Sequence, residues 1–493
     1  MSSPTRIVIL GGGTAGWMAA NLFAKRWSDC PIEITVVESP NIKTVGVGEG
    51  STPTLQQFFK QLNIAEEDWM PQCNATYKYN IKFSGWSPAS GITHYSHPFF
   101  TQLDTFTKRP FIVNCYTRRL GLEVTTQPDK FFFNSYLTEQ NKLPQTPEHF
   151  PFEMNYGYHF DSNMLGQFLM KHAKTLGVSH KLTAVEAVKL HDNGDINQLI
   201  CDNGESLEGD FFVDCTGFRS QLLQQTLGVK FESFSDNLFN DSAIVMPTSA
   251  VGSRFETQSI AMSNGWRWKI PLTHRHGNGY VYSSDFQSAN DAEQELRKSL
   301  GLLDDDQSAM HLKMKVGQVS EHWHKNCLAL GLSQGFIEPL EATALHLVQI
   351  SIESFMDNFH EGKYTAADTE QYNRLTKERF ERVRDYIVAH YKLNTRNDTE
   401  YWRANRDNQH LSESLLQLLN TWFTNGDLGQ EIQKQSIDSH FGNESWHCLL
   451  AGYGTFPKLA SEQPGTGDQF KEHRIEAFLK GCLLNFQTSF MNE

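Results

Sequence analysis

Apolar and polar positions follow different rhythms along the chain, and each rhythm predicts a different element. Residues 6–10 (RIVIL) form a short, largely β-branched run expected to be a buried strand. The glycine-rich stretch Gly11-Gly12-Gly13-Thr14-Ala15-Gly16 follows at once and continues as a helix to about Trp27. Residues 32–37 (IEITVV) give a second strand that ends in Glu38, and residues 210–217 (DFFVDCTG) read as another buried strand closing in a small-residue turn. Residues 76–83 alternate towards a strand, while 93–100 and 129–136 are rich in aromatics and are expected to line a second module. Helical spacing runs over 342–359, resumes over 368–392 and returns beyond Glu472, so the last third is expected to be mostly helical. Residues 463–469 (QPGTGDQ) are a loop, and the sequence has neither internal repeats nor a long low-complexity linker.

Strand, glycine turn, helix, strand and terminal acid have the order and spacing of a dinucleotide-binding βαβ unit. Gly11 permits the tight turn, Gly13 lets backbone approach a diphosphate, Gly16 lets helix pack on strand, and Glu38 stands where an acid accepts ribose hydroxyls. The helix N-terminus then stabilises the diphosphate. Further strands arrive only after long insertions, which interleaves two modules.

Composition narrows the partners. A formal charge of -14 repels polyanions, excluding nucleic acid and anionic membrane as favoured partners. No run approaches the roughly 18 apolar residues of a membrane span, and the mean hydropathy is -0.47. The N-terminus lacks a basic segment followed by an apolar stretch, so the chain is expected in the cytoplasm. The eight cysteines are scattered, with no CxxC and no paired-histidine spacing, so no metal site is expected.

Five motifs carry a family resemblance: GGGTAGWMAA, GVGEGSTPTL at 46–55, CNATYKYNIKFSGW at 73–86, NGWRWKIP from Asn264 and EPLEATA from Glu338. Together they resemble the flavin-dependent halogenases of the tryptophan-halogenase type, nearly end to end, with GWxWxIP the most specific. The resemblance implies an α/β fold: a Rossmann-like FAD-binding module of the glutathione-reductase type, an interleaved substrate module and a mainly helical C-terminal part. The FAD module is expected at 1–75, about 160–230 and 315–360, the substrate module at about 76–160 and 231–314, and the helical part at about 361–493. It implies FAD, used as FADH2 from a separate flavin reductase, with O2 and a halide ion giving hypohalous acid, which then halogenates a small electron-rich aromatic. It leaves a homodimer open.

Residue by residue, Lys78 matches the lysine that captures or orients the hypohalite, and Glu341 the essential glutamate that polarises the oxidant or accepts the ring proton. A lysine suits the first role, having three directional donors and a pKa that burial lowers; a carboxylate suits the second as general base. Thr343 and Ala344 match the halide site beside the flavin, at backbone amides of a helix start. Glycines 11, 13, 16 and 48, with Thr14, Ala15, Glu38, Val185, Leu332 and Leu345, match cofactor-binding positions; Glu338 flanks them. His97 and Phe99 match residues against the substrate ring, and Trp266 and Trp268 are expected between flavin and substrate compartments.

The chain departs from enzymes acting on free tryptophan at Ala342 and Ala344, where those have serine and glycine, and at residues 435–446, where the lid looks shortened. Without clear residues to hold a zwitterion, an indole or phenol lacking the amino-acid part is the expected substrate. Two alternatives stay open: an FAD-dependent aromatic monooxygenase, disfavoured by GLSQG at Gly331 in place of a GDAAH-like motif, and a non-catalytic flavin-binding protein.

Overall fold

The computed structural model describes residues 4–42, 48–252, 254–362, 365, 367–437 and 440–489. Gly46 and Val47 of the GVGEGSTPTL motif, and Asp438 and Ser439 of the lid, lie outside the described residues. The chain forms two compact units, one of Met1–Ala75, Phe160–Ser235 and Lys315–Glu381, the other of Thr76–His159, Asp236–Met314 and Arg382–Glu493.

In the first unit, strand Thr5–Leu10 pairs in parallel with Ile32–Glu38 on one side and Phe211–Asp214 on the other. Its last four residues are buried, as β-branched strands covered on both faces of a parallel sheet should be. Three further strands from distant parts of the sequence bring the sheet to six. Helix Thr14–Arg26 starts directly at the strand end, and its residues Gly16 to Phe23 are buried. Leu10, Val37, Phe212 and Ala329 of the sheet pack with Leu199, Leu222 and Val319 in one apolar cluster.

In the second unit, a seven-stranded sheet runs in the order Met310–Lys313, Ser242–Ser249, Arg275–Tyr282, Gly265–Pro271, Glu256–Met262, Asn80–Ser84, His94–Pro98. The single strand expected over 76–83 is two: Thr76–Lys78 pairs with Gly157–Asp161, and Asn80–Ser84 joins the large sheet. Tyr79 is the corner, donating its N–H to the Phe255 carbonyl at 2.8 Å and accepting from the Phe99 N–H at 2.9 Å. Such a corner changes which neighbour each backbone group bonds without breaking side-chain alternation, so periodicity alone does not reveal it.

The expected helices are present as Ala344–Glu361 in the first unit, Thr369–Lys392, and Ile475–Leu483 in the second unit. No helix of the described residues is long and apolar enough to cross a membrane.

Candidate active site

Three loops of the first unit meet at the carboxyl ends of its parallel strands, where ligands of open α/β sheets bind. Gly11 has φ +119°, and a Cβ there would lie 2.2 Å from the Cys215 carbonyl oxygen, so only glycine fits. A Cβ on Gly16 would come within 2.0 Å of the Gly11 carbonyl, the close helix–strand approach the third glycine allows. Gly13, in contrast, faces nothing within 4 Å. It N-caps helix Thr14–Arg26, whose first turn has no side-chain cap and no acid, leaving backbone N–H groups for an anion. Glu38 lies against Gly12 and accepts from His180 Nε2 at 3.1 Å.

Asp214, fully buried, ties the other two loops together. Its carboxylate accepts from the backbone N–H groups of Leu222 at 2.8 Å and Leu223 at 2.9 Å, and from Ser333 Oγ at 3.1 Å. Ser333 closes the turn Gly331–Ser333, on which Leu332 is 40% exposed. Val185 sits in the apolar core with Leu199 and Cys201; Leu345 and Gly48 are buried.

The EPLEATA segment makes a tight entry to helix Ala344–Glu361. Turn Pro339–Glu341 buries the Glu341 side chain, and Ala342 follows in the left-handed region at φ 56°. That conformation costs a residue with a Cβ about 1 kcal/mol or more, a strain of the kind found at functional turns. Thr343 then N-caps the helix with a buried hydroxyl that has no hydrogen-bond partner among the described residues. No acid occupies the first turn of this 18-residue helix. Free amides, a donor hydroxyl and the positive end of the helix dipole fit a small anion such as halide.

The second unit carries the remaining candidates, and three of them, His97, Trp266 and Trp268, share one face of its large sheet. Side chains alternate along a strand, so the register sets His97, Ile81 and Thr257 on one rung and Phe83, Ser259 and Trp268 on the next of that face. Trp266, paired with Ala261, takes the third rung. Trp268 is possible only because it faces Gly279, where a Cβ would meet its ring at 1.9 Å. The Trp266 and Trp268 rings are 6.1 Å apart. His97 is buried, its Nε2 3.0 Å from Ser445 Oγ, beside the rings of Tyr386 and Phe441, which stack on one another at 3.7 Å. Lys78 is 0% exposed, and its ammonium lies 5.1 Å from the centroid of half-buried Phe99.

Three residues went unassigned in the sequence. Asp214 is the last residue of a strand read correctly, His159 lies in a stretch with no other signal, and Glu49 is inside a quoted motif. Burial pushes the Glu49 carboxyl up to about 7, with the Asp161 charge adding to it and a Ser162 hydrogen bond opposing.

A glycine-cradled helix start at the end of a parallel sheet, interleaved with a second module, is the Rossmann-type FAD-binding fold of flavin-dependent oxidoreductases. The tryptophan halogenase family model matches residues 6–466, and the chain belongs to that family. It is 36% identical over 446 residues, 85% of this chain and 84% of the relative, to tryptophan 6-halogenase SttH of Streptomyces toxytricini. The crystal structure of that enzyme aligns with a TM-score of 0.85 and 31% identity over 99% of both chains. Xcc4156, a flavin-dependent halogenase from Xanthomonas campestris, aligns with a TM-score of 0.83 and 32% identity over 98% of this chain and 97% of its own. The chain is therefore a flavin-dependent halogenase, of a family that halogenates aromatic substrates with FADH2, O2 and halide and is supplied by a separate flavin reductase.

Proposed function

We propose that the enzyme halogenates an indole or phenol lacking a free amino-acid group, with Lys78 holding hypohalous acid and Glu341 taking the ring proton. Bound as FADH2, the flavin supplies the two electrons with which O2, halide and a proton give hypohalous acid, water and FAD. The Gly11–Gly16 turn and the start of helix Thr14–Arg26 hold its diphosphate, Glu38 its ribose, and the Thr343 and Ala344 amides the halide.

The observation that carries this reading is the fully buried Lys78 ammonium over the Phe99 ring. Desolvated, its N–H donors bind a small oxidant more strongly than they would in water. They hold the hypohalous oxygen beside an aromatic wall against which a planar substrate can stack. Attack of the ring carbon on halogen breaks the oxygen–halogen bond. The leaving oxygen takes a proton from the Lys78 ammonium and departs as water, and a Glu341 carboxylate oxygen receives the ring proton, so one proton is given and one taken.

Charged groups around a small cavity that shares Phe441 with the surroundings of His97, lined also by Arg382, Asp385, Ser414 and Trp446, support the substrate class. Asp385 already accepts from Arg384 at 2.9 Å and from Ser412 Oγ at 2.7 Å, while Arg382 donates to Ser414. Charges so engaged leave a zwitterion to be buried unpaired, which is costly. The test is kcat/KM for tryptophan against indoles lacking the amino-acid part, with product mass read in chloride and in bromide. Comparable or higher values for the simple indoles support the reading; a strong preference for tryptophan overturns the substrate class, and addition of oxygen without halogen overturns the chemistry.

A further inference from the structure

We propose that His159 is a positioning residue for halogenation, a neutral imidazole locked by Thr76 and Thr257 that fixes the strand carrying Lys78 and keeps a second positive charge away from its ammonium. The inference rests on the reading of Lys78 given above.

His159 is 0% exposed, and both ring nitrogens are engaged. Thr76 Oγ1 donates its proton to the Pro271 carbonyl at 2.7 Å, so toward His159 Nδ1, 3.2 Å away, its oxygen can only accept. Nδ1 therefore carries the ring proton. Nε2, left with its lone pair, accepts from Thr257 Oγ1 at 2.9 Å. This network assigns one tautomer, and protonating Nε2 would turn its acceptor contact around. Burial, and secondarily the charge of Lys78, hold the imidazole pKa well below its ordinary value.

The short ladder explains why this concerns Lys78. Thr76 pairs with His159 and Lys78 with Gly157. Thr76 and Lys78, two residues apart, point to the same face, so His159 shares that face with the ammonium while glycine stands opposite Lys78 and leaves room beside it. Thr257 belongs to the sheet face that carries His97, Trp266 and Trp268. The hydrogen bonds thus run from that aromatic wall through His159 to the strand of the lysine.

The test uses Thr257→Val, which keeps the shape and removes the donor, beside Thr257→Ser, which keeps the hydroxyl, and His159→Gln. Each is assayed in full-length, FAD-loaded enzyme for product per O2 consumed, kcat and KM for the arene, FAD affinity and Tm. Thr257→Val is expected to lower kcat and product per O2 by about 10-fold, the factor a lost buried hydrogen bond supports. KM and FAD affinity stay near native, Thr257→Ser recovers most of the loss, and His159→Gln behaves like Thr257→Val or worse. Native product per O2 in Thr257→Val overturns the proposal, as does a loss that tracks Tm and that serine does not recover. Lys78→Ala run in parallel separates the two readings. If it abolishes product while Thr257→Val is native, the relay alone falls; if Lys78→Ala keeps product, the role of the lysine falls first.

Discussion

The Lys78 ammonium sits 5.1 Å from the centre of the Phe99 ring inside the second unit. A desolvated cation–π contact is worth about 2 kcal/mol, so the ring helps to hold a charge that burial alone would penalise. Lys78→Ala is expected to abolish halogenated product and leave FAD affinity unchanged, as read by mass spectrometry and by flavin titration. Lys78→Arg is expected to fail as well, because a planar fork does not replace a compact ammonium. Native yield in Lys78→Ala would remove the lysine from the mechanism.

Glu341 is buried on a turn that the left-handed Ala342 holds in place. As general base for the ring proton it should contribute on the order of 10² to 10⁴ in rate. Glu341→Gln keeps the shape and loses the charge, and kcat should fall by about 100-fold or more with O2 consumption sustained. A near-native rate would contradict the base role.

Two glycines of one motif should fail in opposite ways. Gly11→Ala places a Cβ 2.2 Å from the Cys215 carbonyl at a φ that alanine disfavours, so the Tm of the cofactor-free protein should drop sharply. Gly13→Ala meets no atom within 4 Å, so its Tm should stay near wild type while FAD binds more weakly. Scanning calorimetry with FAD titration checks both, and equal Tm losses would argue against an open cradle at Gly13.

The nucleotide-binding half was legible because each of its signals is local. A β-branched run, three glycines and a terminal acid are contiguous, and the strands and helix stand within a residue or two of where periodicity places them. The second unit was legible only through motifs. That Lys78 ends one strand and Asn80 begins another follows from where Gly157 and Glu256 return in space, which no local pattern encodes. His159 shows the same limit: nothing near it in sequence announces that Thr76, Pro271 and Thr257 converge on it. Val185, expected at the flavin, belongs to the apolar cluster of the first unit, a packing that a lone valine at a strand start does not announce.

Glu49 makes stability depend on pH in an unusual sense. Its half-buried carboxyl lies near Asp161, which caps helix Ser162–Thr175 by accepting from the N–H groups of Asn163 at 3.1 Å and Met164 at 3.2 Å. Burial first, then the Asp161 charge, push the Glu49 pKa up to about 7 from an ordinary 4.5. The folded state thus binds this proton more tightly than the unfolded state. The resulting stabilisation is fully present below about 4.5 and is lost as pH rises through about 7. Glu49→Gln carries a neutral amide that does not titrate. The Tm difference between Glu49→Gln and wild type should therefore increase in favour of the variant from pH 5 to pH 7 and level off above about 7. A difference that stays constant over that window would mean that Glu49 titrates as an ordinary surface glutamate and that Asp161 exerts no effective field on it.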